Sequence, residues 1–105
     1  MRLRFHDDAR IEFSAAAEWY DSERPGLGDE FVDEVVKALE SISAHPDAWP
    51  AAASRLRRVA ARRFIVPRFP YLLVYATRSD EIVVLAVAHD KRRPGYWRDR
   101  ITSGA

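Results

Sequence analysis

The side chains best suited to chemistry lie in the second half of this 105-residue chain. Arg62, Arg63, Arg68, Arg92 and Arg93 are cations, His89 brings an imidazole, and Tyr96 carries a phenol on a flat ring. Such a set suits a phosphodiester. Attack of a 2′-hydroxyl on its neighbouring phosphate needs a base for the hydroxyl, positive charge for the developing phosphorane and an acid for the departing oxygen. The arginines supply the charge and His89 the proton acceptor or donor. Tyr96 can stack on a base or orient a phosphate.

The same residues also have plainer roles. His89 at a strand end suits a hydrogen-bonded structural position. Arg92 and Arg93 can pair with Asp90, Asp99 or acidic helices, and such surface pairs contribute little. Phe69-Pro70-Tyr71 reads as turn and core, and Tyr96 and Trp97 as packing for the tail. Trp19 and Trp49 are either partner anchors or core residues. His6 and His45 lie far from His89 and show no ligand spacing, so no metal site or cofactor is expected. Cysteine is absent, which excludes disulfides and thiol nucleophiles. No glycine-rich phosphate loop, serine-nucleophile elbow or paired-carboxylate motif stands out.

Charge is distributed unevenly. The net value is +1, yet residues 1–53 hold five basic and twelve acidic side chains, whereas residues 54–105 hold twelve basic and four acidic ones. Only Lys37 and Lys91 among these cations are lysines. Arginine keeps its charge and offers a planar fork to carboxylates and phosphates. An arginine-rich half therefore points to an anionic partner, either nucleic acid or an acidic protein surface. Attraction between an acidic helical layer and a basic sheet layer of the same molecule would account for it equally well.

The elements that must position these residues follow from periodicity. Arg2 to Phe5 alternates charged and apolar residues, as a short half-buried strand does. Asp7 or Asp8 can cap a helix whose apolar face is Ala9, Phe13, Ala16, Ala17 and Tyr20, ending near Arg24 before Pro25-Gly26. Phe31, Val35, Ala38, Leu39 and Ile42 mark a second helix that ends at His45-Pro46. Asp29, Glu30, Asp33 and Glu34 in its early turns suit the positive end of the helix dipole. The short connection predicts an antiparallel helical hairpin. An irregular linker from Pro46 to Ser54 comes next.

Phe64-Ile65-Val66 reads as a strand ending at Pro67. Tyr71 to Ala76 and Ile82 to Ala88 read as a hairpin about Ser79-Asp80, and their continuous apolar character predicts strands covered on both faces. A short terminal helix is expected over 96–101. The order is β-α-α-β-β-β, an α+β fold with the helical hairpin packed on a small antiparallel sheet. At this length, with 48% hydrophobic residues, residues 1–105 are expected to make one domain with its own core. No apolar run suggests a signal peptide or membrane span, and the lack of cysteine fits a reducing cytoplasm.

Three segments together resemble the RelE/ParE toxin superfamily of type II toxin–antitoxin systems. They are the helical hairpin with Tyr20 and Gly28-Asp29-Glu30-Phe31, the stretch Arg68-Phe69-Pro70-Tyr71-Leu72-Leu73-Val74-Tyr75, and Ala86-Val87-Ala88-His89 running into Arg92-Arg93-Pro94-Gly95-Tyr96-Trp97. The Phe-Pro-Tyr strand entry and the arginine-rich tail are closer to ParE-like members.

The resemblance implies a bacterial growth-inhibiting toxin encoded beside a cognate antitoxin, whose acidic, partly disordered segment binds it in a hetero-oligomer. ParE-like members are associated with poisoning DNA gyrase and are not nucleases. RelE-like members are ribosome-dependent endoribonucleases that cut mRNA without a metal, some with a tyrosine where Tyr96 stands. RelE-like nucleases carry lysines around the second and third strands, and this chain has none there. The ParE-like reading is therefore preferred. The RelE-like nuclease and a non-toxic antitoxin-binding module remain as alternatives. The nuclease would use His89, Arg63, Arg68, Arg92, Arg93 and Tyr96. Target or antitoxin binding is expected to involve Arg62, Arg63, Arg68, Arg92, Arg93, Tyr96 and Trp97.

Overall fold

β1, Arg2–Phe5, leads directly into the helix α1, Asp7–Glu23. His6 makes the junction. Its N–H bonds the Val84 carbonyl at 2.9 Å, as a strand residue would, while its Nδ1 accepts the Asp8 N–H at 3.1 Å. The cap is therefore an imidazole rather than the expected aspartate. Asp7 and Asp8 lie one step later, in the first turn, where their charge suits the helix dipole. The computed structural model describes residues 1–52 and 61–103; Ser54, within the expected linker, and the cations Arg55, Arg57 and Arg58 lie outside them.

α1 ends where the sequence predicts. Arg24 is extended ahead of Pro25, and Gly26 turns the chain with φ of +91°, a conformation that costs glycine nothing. α2, Leu27–Ala44, then runs back along α1. The hairpin closes tightly at Gly28, whose N–H donates to Asp21 Oδ1 at 2.7 Å. A Cβ at this position would lie 2.5 Å from the Ala17 carbonyl oxygen. Phe31, fully buried on α2, meets the rings of Phe13, Tyr20, Phe69 and Tyr71 at centroid distances of 5.9, 5.2, 5.2 and 5.2 Å. Helix and sheet are joined through this aromatic cluster.

The remaining strands are β2, Arg62–Ile65, β3, Tyr71–Arg78, and β4, Glu81–His89, in the sheet order β1-β4-β3-β2. β2, β3 and β4 pair antiparallel as expected, whereas β1 lies parallel to β4, from Arg2 opposite Glu81 to Phe5 opposite Val84. The sheet is thus mixed. The helical hairpin returns the chain before β2 begins, so β1 is free to enter beside β4 in the same direction.

β4 is covered on both faces, and a bulge divides them. Val74 stands opposite Ala86 but Tyr75 opposite Val84, which leaves Leu85 as the extra residue. Ile82, Val84 and Val87 pack in the core beneath the helices; Val83, Leu85, Ala86 and Ala88 pack with Trp97 on the other face. Tyr96 and Ile101 complete that second layer. The tail itself differs from expectation. Residues 95–101 form successive turns whose N–H groups bond three residues back, and the helix α3 is confined to Arg100–Ser103. No helix among the described residues is long and apolar enough to cross a membrane.

Gly28→Ala should destabilise the fold by about 1–3 kcal/mol, because the clash is with backbone that cannot move without parting the helices. Urea unfolding of the two proteins checks this; an unchanged midpoint would mean that the hairpin does not need the close approach.

Candidate functional site

β4 outruns β1. After Val84, the outer edge of β4 has no strand beside it, and two side chains take over its backbone bonding. Glu12 Oε1, from α1, accepts the Val87 N–H at 3.0 Å, and Arg100 Nη1, from the tail, donates to the Leu85 carbonyl at 2.9 Å. Arg100 also grips both Glu12 oxygens, each at 2.9 Å, the bidentate geometry that makes such pairs strong. Tyr96 completes the group by donating its hydroxyl to Glu12 Oε2 at 2.8 Å. Neither Glu12 nor Arg100 stands out in the sequence. Each is one charged residue among several on its segment, and only the fold brings them together.

This network decides what Tyr96 can do. Burial, and next the hydrogen bond to Glu12, push its phenol far above the ordinary tyrosine value. Its ring is covered as well, by the Arg92 guanidinium at 3.9 Å and by that of Arg100 at 5.1 Å. The phenolic hydrogen and that ring face are thus both engaged within the molecule. Trp97 is deeply buried at 3% exposure and serves as core.

His89 closes β4 opposite Tyr71, with the two rings edge to face at 5.3 Å. Its Nδ1 accepts the Lys91 N–H at 3.1 Å and lies 3.2 Å from Asp90 Oδ1. A neutral ring that accepts at Nδ1 carries its hydrogen on Nε2. His89 borders a cavity of about 110 Å³ on the face away from the helices, walled by Arg63, Arg92, Arg93, Tyr96 and Trp97. Leu72, Val74 and Ala88 give this cavity an apolar lining.

Three of the five candidate arginines thus gather, and two do not. Arg62 and Arg63 are neighbours on β2, so their side chains leave opposite faces of the sheet. Arg63 reaches the cavity, while Arg62 donates to the Trp49 carbonyl at 2.7 Å and borders a separate hollow with Asp47 and Tyr75. Arg68 stands in the turn before β3 with φ of +72° and binds Glu30 of α2 at 2.6 Å, with Glu34 4.0 Å away. That hydrogen bond holds the Glu30 carboxyl below its usual range. Among the described residues, no group of three histidine, aspartate or glutamate side chains could hold a metal ion. Three guanidinium groups outnumber the one carboxylate of the cavity among the described residues, Asp90, and the His89 imidazole stands at its edge.

Two outcomes follow. Glu12→Gln should cost about 2–3 kcal/mol in urea unfolding, since a largely buried guanidinium loses its bidentate carboxylate and keeps the more distant Asp8, 3.7 Å away. All four tyrosines have phenols raised above the ordinary value, chiefly by burial. A raised tyrosine keeps its proton in the folded protein while the unfolded chain ionises near pH 10. Its contribution to stability is fully present below that pH and is lost as pH rises towards the folded value. Ultraviolet titration should show little phenolate at pH about 10 while the protein is folded. Half-ionised tyrosine there would contradict the burial described above.

The sequence matches, over residues 3–94, the family described as the ParE toxin of the type II toxin–antitoxin system parDE. No curated protein matches it significantly. Among solved structures, a chain of the chromosomal ParDE toxin–antitoxin system from P. aeruginosa is similar, with a TM-score of 0.72 at 17% identity. The likeness covers 85% of this chain and 95% of that one, and it establishes a shared fold. With the family match extending over most of its length, the chain belongs to the ParE toxin family of type II toxin–antitoxin systems.

Proposed function

We propose that the chain is a toxin that acts through protein contacts on DNA gyrase and is silenced by a cognate antitoxin. The observation that carries this reading is the hydrogen bond from Tyr96 to Glu12, which occupies the phenol that a nuclease mechanism would use. Arg68 is likewise held by α2, and no lysine lines the cavity among the described residues. RNA cleavage would then rest on His89 for both proton transfers, because arginine is a poor base. Binding, by contrast, needs only charge and shape. Membership of a toxin–antitoxin family implies the antitoxin partner, and the ParE-like character of the chain supports gyrase as the target.

A second reading has one observation in its favour. Arg63, Arg92, Arg93 and His89 do share one cavity, which is the minimum for a phosphodiester site. Induction of the chain in bacteria separates the two. The gyrase reading expects a DNA-damage response and accumulated gyrase–DNA cleavage complexes, with messages intact by primer extension and growth arrest retained in His89→Ala. Messages cut by the native chain but not by His89→Ala would replace it with the ribonuclease. Absence of growth arrest would leave an antitoxin-binding module.

A further inference from the structure

On the α1 side of His89 lies a second hollow, of about 500 Å³ and open to solvent, walled by Trp19, Tyr20, Pro70, Tyr71 and His89. Four of these five residues carry rings, and the rings stand crosswise. Trp19 meets Tyr20 at 77°, Tyr20 meets Tyr71 at 67°, and Tyr71 meets His89 at 79°, with centroids 5.1, 6.2 and 5.3 Å apart. Walls set nearly at right angles make the sides of a box. The inner wall is fixed, because Tyr20 also packs on Phe31 and Phe69. Trp19, at the rim, is 57% exposed and leaves much of its indole to a visitor.

The charges that act on this box are mostly carboxylates. α1, which carries Trp19, holds six acidic side chains against Arg10 alone, and Arg10 is taken by Asp7. Glu23 stands one turn beyond Trp19 on the same helical face. Helical side chains lean towards the N-terminus, so its carboxylate leans back towards the indole. Glu23 is exposed and makes no ion pair among the described residues. Farther in, burial, then Tyr71 and then the charge of Asp90 raise the Tyr20 phenol. Burial and then Glu12 raise that of Tyr71, even though Arg100 grips Glu12. The cations nearby are already occupied. Arg92 lies on the Tyr96 ring, and His89 Nδ1 has Asp90 Oδ1 at 3.2 Å.

We infer that this aromatic box receives a lysine side chain of the toxin's protein target. The ammonium lies against the Trp19 ring, where the ring quadrupole and the Glu23 carboxylate both attract it. The methylene stem runs over Pro70 and Tyr71, as lysine stems do on apolar surface. A segment rich in carboxylates is a poor occupant, since it would meet Glu23 and Asp90 with like charge. A phosphate backbone fails for the same reason. A wholly apolar side chain fills the hollow but leaves the carboxylate at its rim unanswered. The inference rests on the reading that the toxin acts through protein contacts, and it names the chemistry of one such contact.

Its test reads binding rather than toxicity, so it can fail while the induction experiment upholds the gyrase reading, and the reverse. A blocked pentapeptide with one lysine between pairs of glycines is titrated into the full chain. NMR follows the indole N–H of Trp19 and the backbone amides of Tyr71 and His89. The comparison peptides carry norleucine or glutamate in place of the lysine. The lysine peptide should shift these signals saturably and bind about fivefold more tightly than the norleucine peptide, as a cation on a half-exposed indole should. The glutamate peptide should produce no saturable shift. Trp19→Leu keeps an apolar wall and should erase the preference for lysine. Glu23→Gln should weaken the lysine peptide about threefold and leave the norleucine peptide unchanged. Arg63→Gln, in the other cavity, should alter neither. Urea midpoints establish that the variants are folded, and the exposed Glu23 carries the test if Trp19→Leu does not fold. Equal affinity for lysine and norleucine, saturable binding of the glutamate peptide, a preference that survives Trp19→Leu, or no saturable shift at all would each overturn the inference.

Discussion

A strand edge that ends too soon sets the most exacting requirement in this molecule. Past Val84 the backbone of β4 has lost β1, yet Leu85 and Val87 remain in the interior, where an unpartnered amide or carbonyl is costly. Glu12 and Arg100 meet the requirement with side chains in place of a strand. Three remote segments are thereby tied to one another: α1, β4 and the tail. The geometry around His89 follows from this tie. Tyr96 is oriented by Glu12, Arg92 lies across Tyr96, and the wall of the arginine cavity is set in turn.

The helices and the β3–β4 hairpin were legible because their signals are local. Phe31, Val35, Ala38 and Ile42 recur at helical spacing and are all buried; the apolar run through β4 reflects cover on both faces. What stayed hidden depends on which elements become neighbours. The parallel entry of β1 leaves no trace in the alternation of Arg2 to Phe5, which any half-buried strand would show. The Leu85 bulge is masked by a run in which every residue is apolar. Glu12 looks like any solvated helical carboxylate until the tail arrives. The parting of Arg62 from Arg63 was readable, since adjacent strand residues face opposite ways, whereas the capture of Arg68 by Glu30 joins positions 38 residues apart.

The uneven charge of the chain has two explanations, and the structure divides them residue by residue. Some of the positive half is used within the molecule, where Arg68 meets Glu30 and Arg100 meets Glu12 across the layers. Another part is left over at Arg63, Arg92 and Arg93, beside a largely apolar recess. Surface pairs of the first kind hold little energy when exposed, but they remove charge from the field that a partner would sense. Among the described residues, Arg63, Arg92 and Arg93 gather at one end of β4, where Asp90 offsets part of their charge.

Eighty-eight positions separate Glu12 from the arginine that grips it. During translation α1 therefore emerges long before its carboxylate has a partner. The outer edge of β4 is consequently completed by the most non-local contact of the network, and closing it is expected to come late in folding.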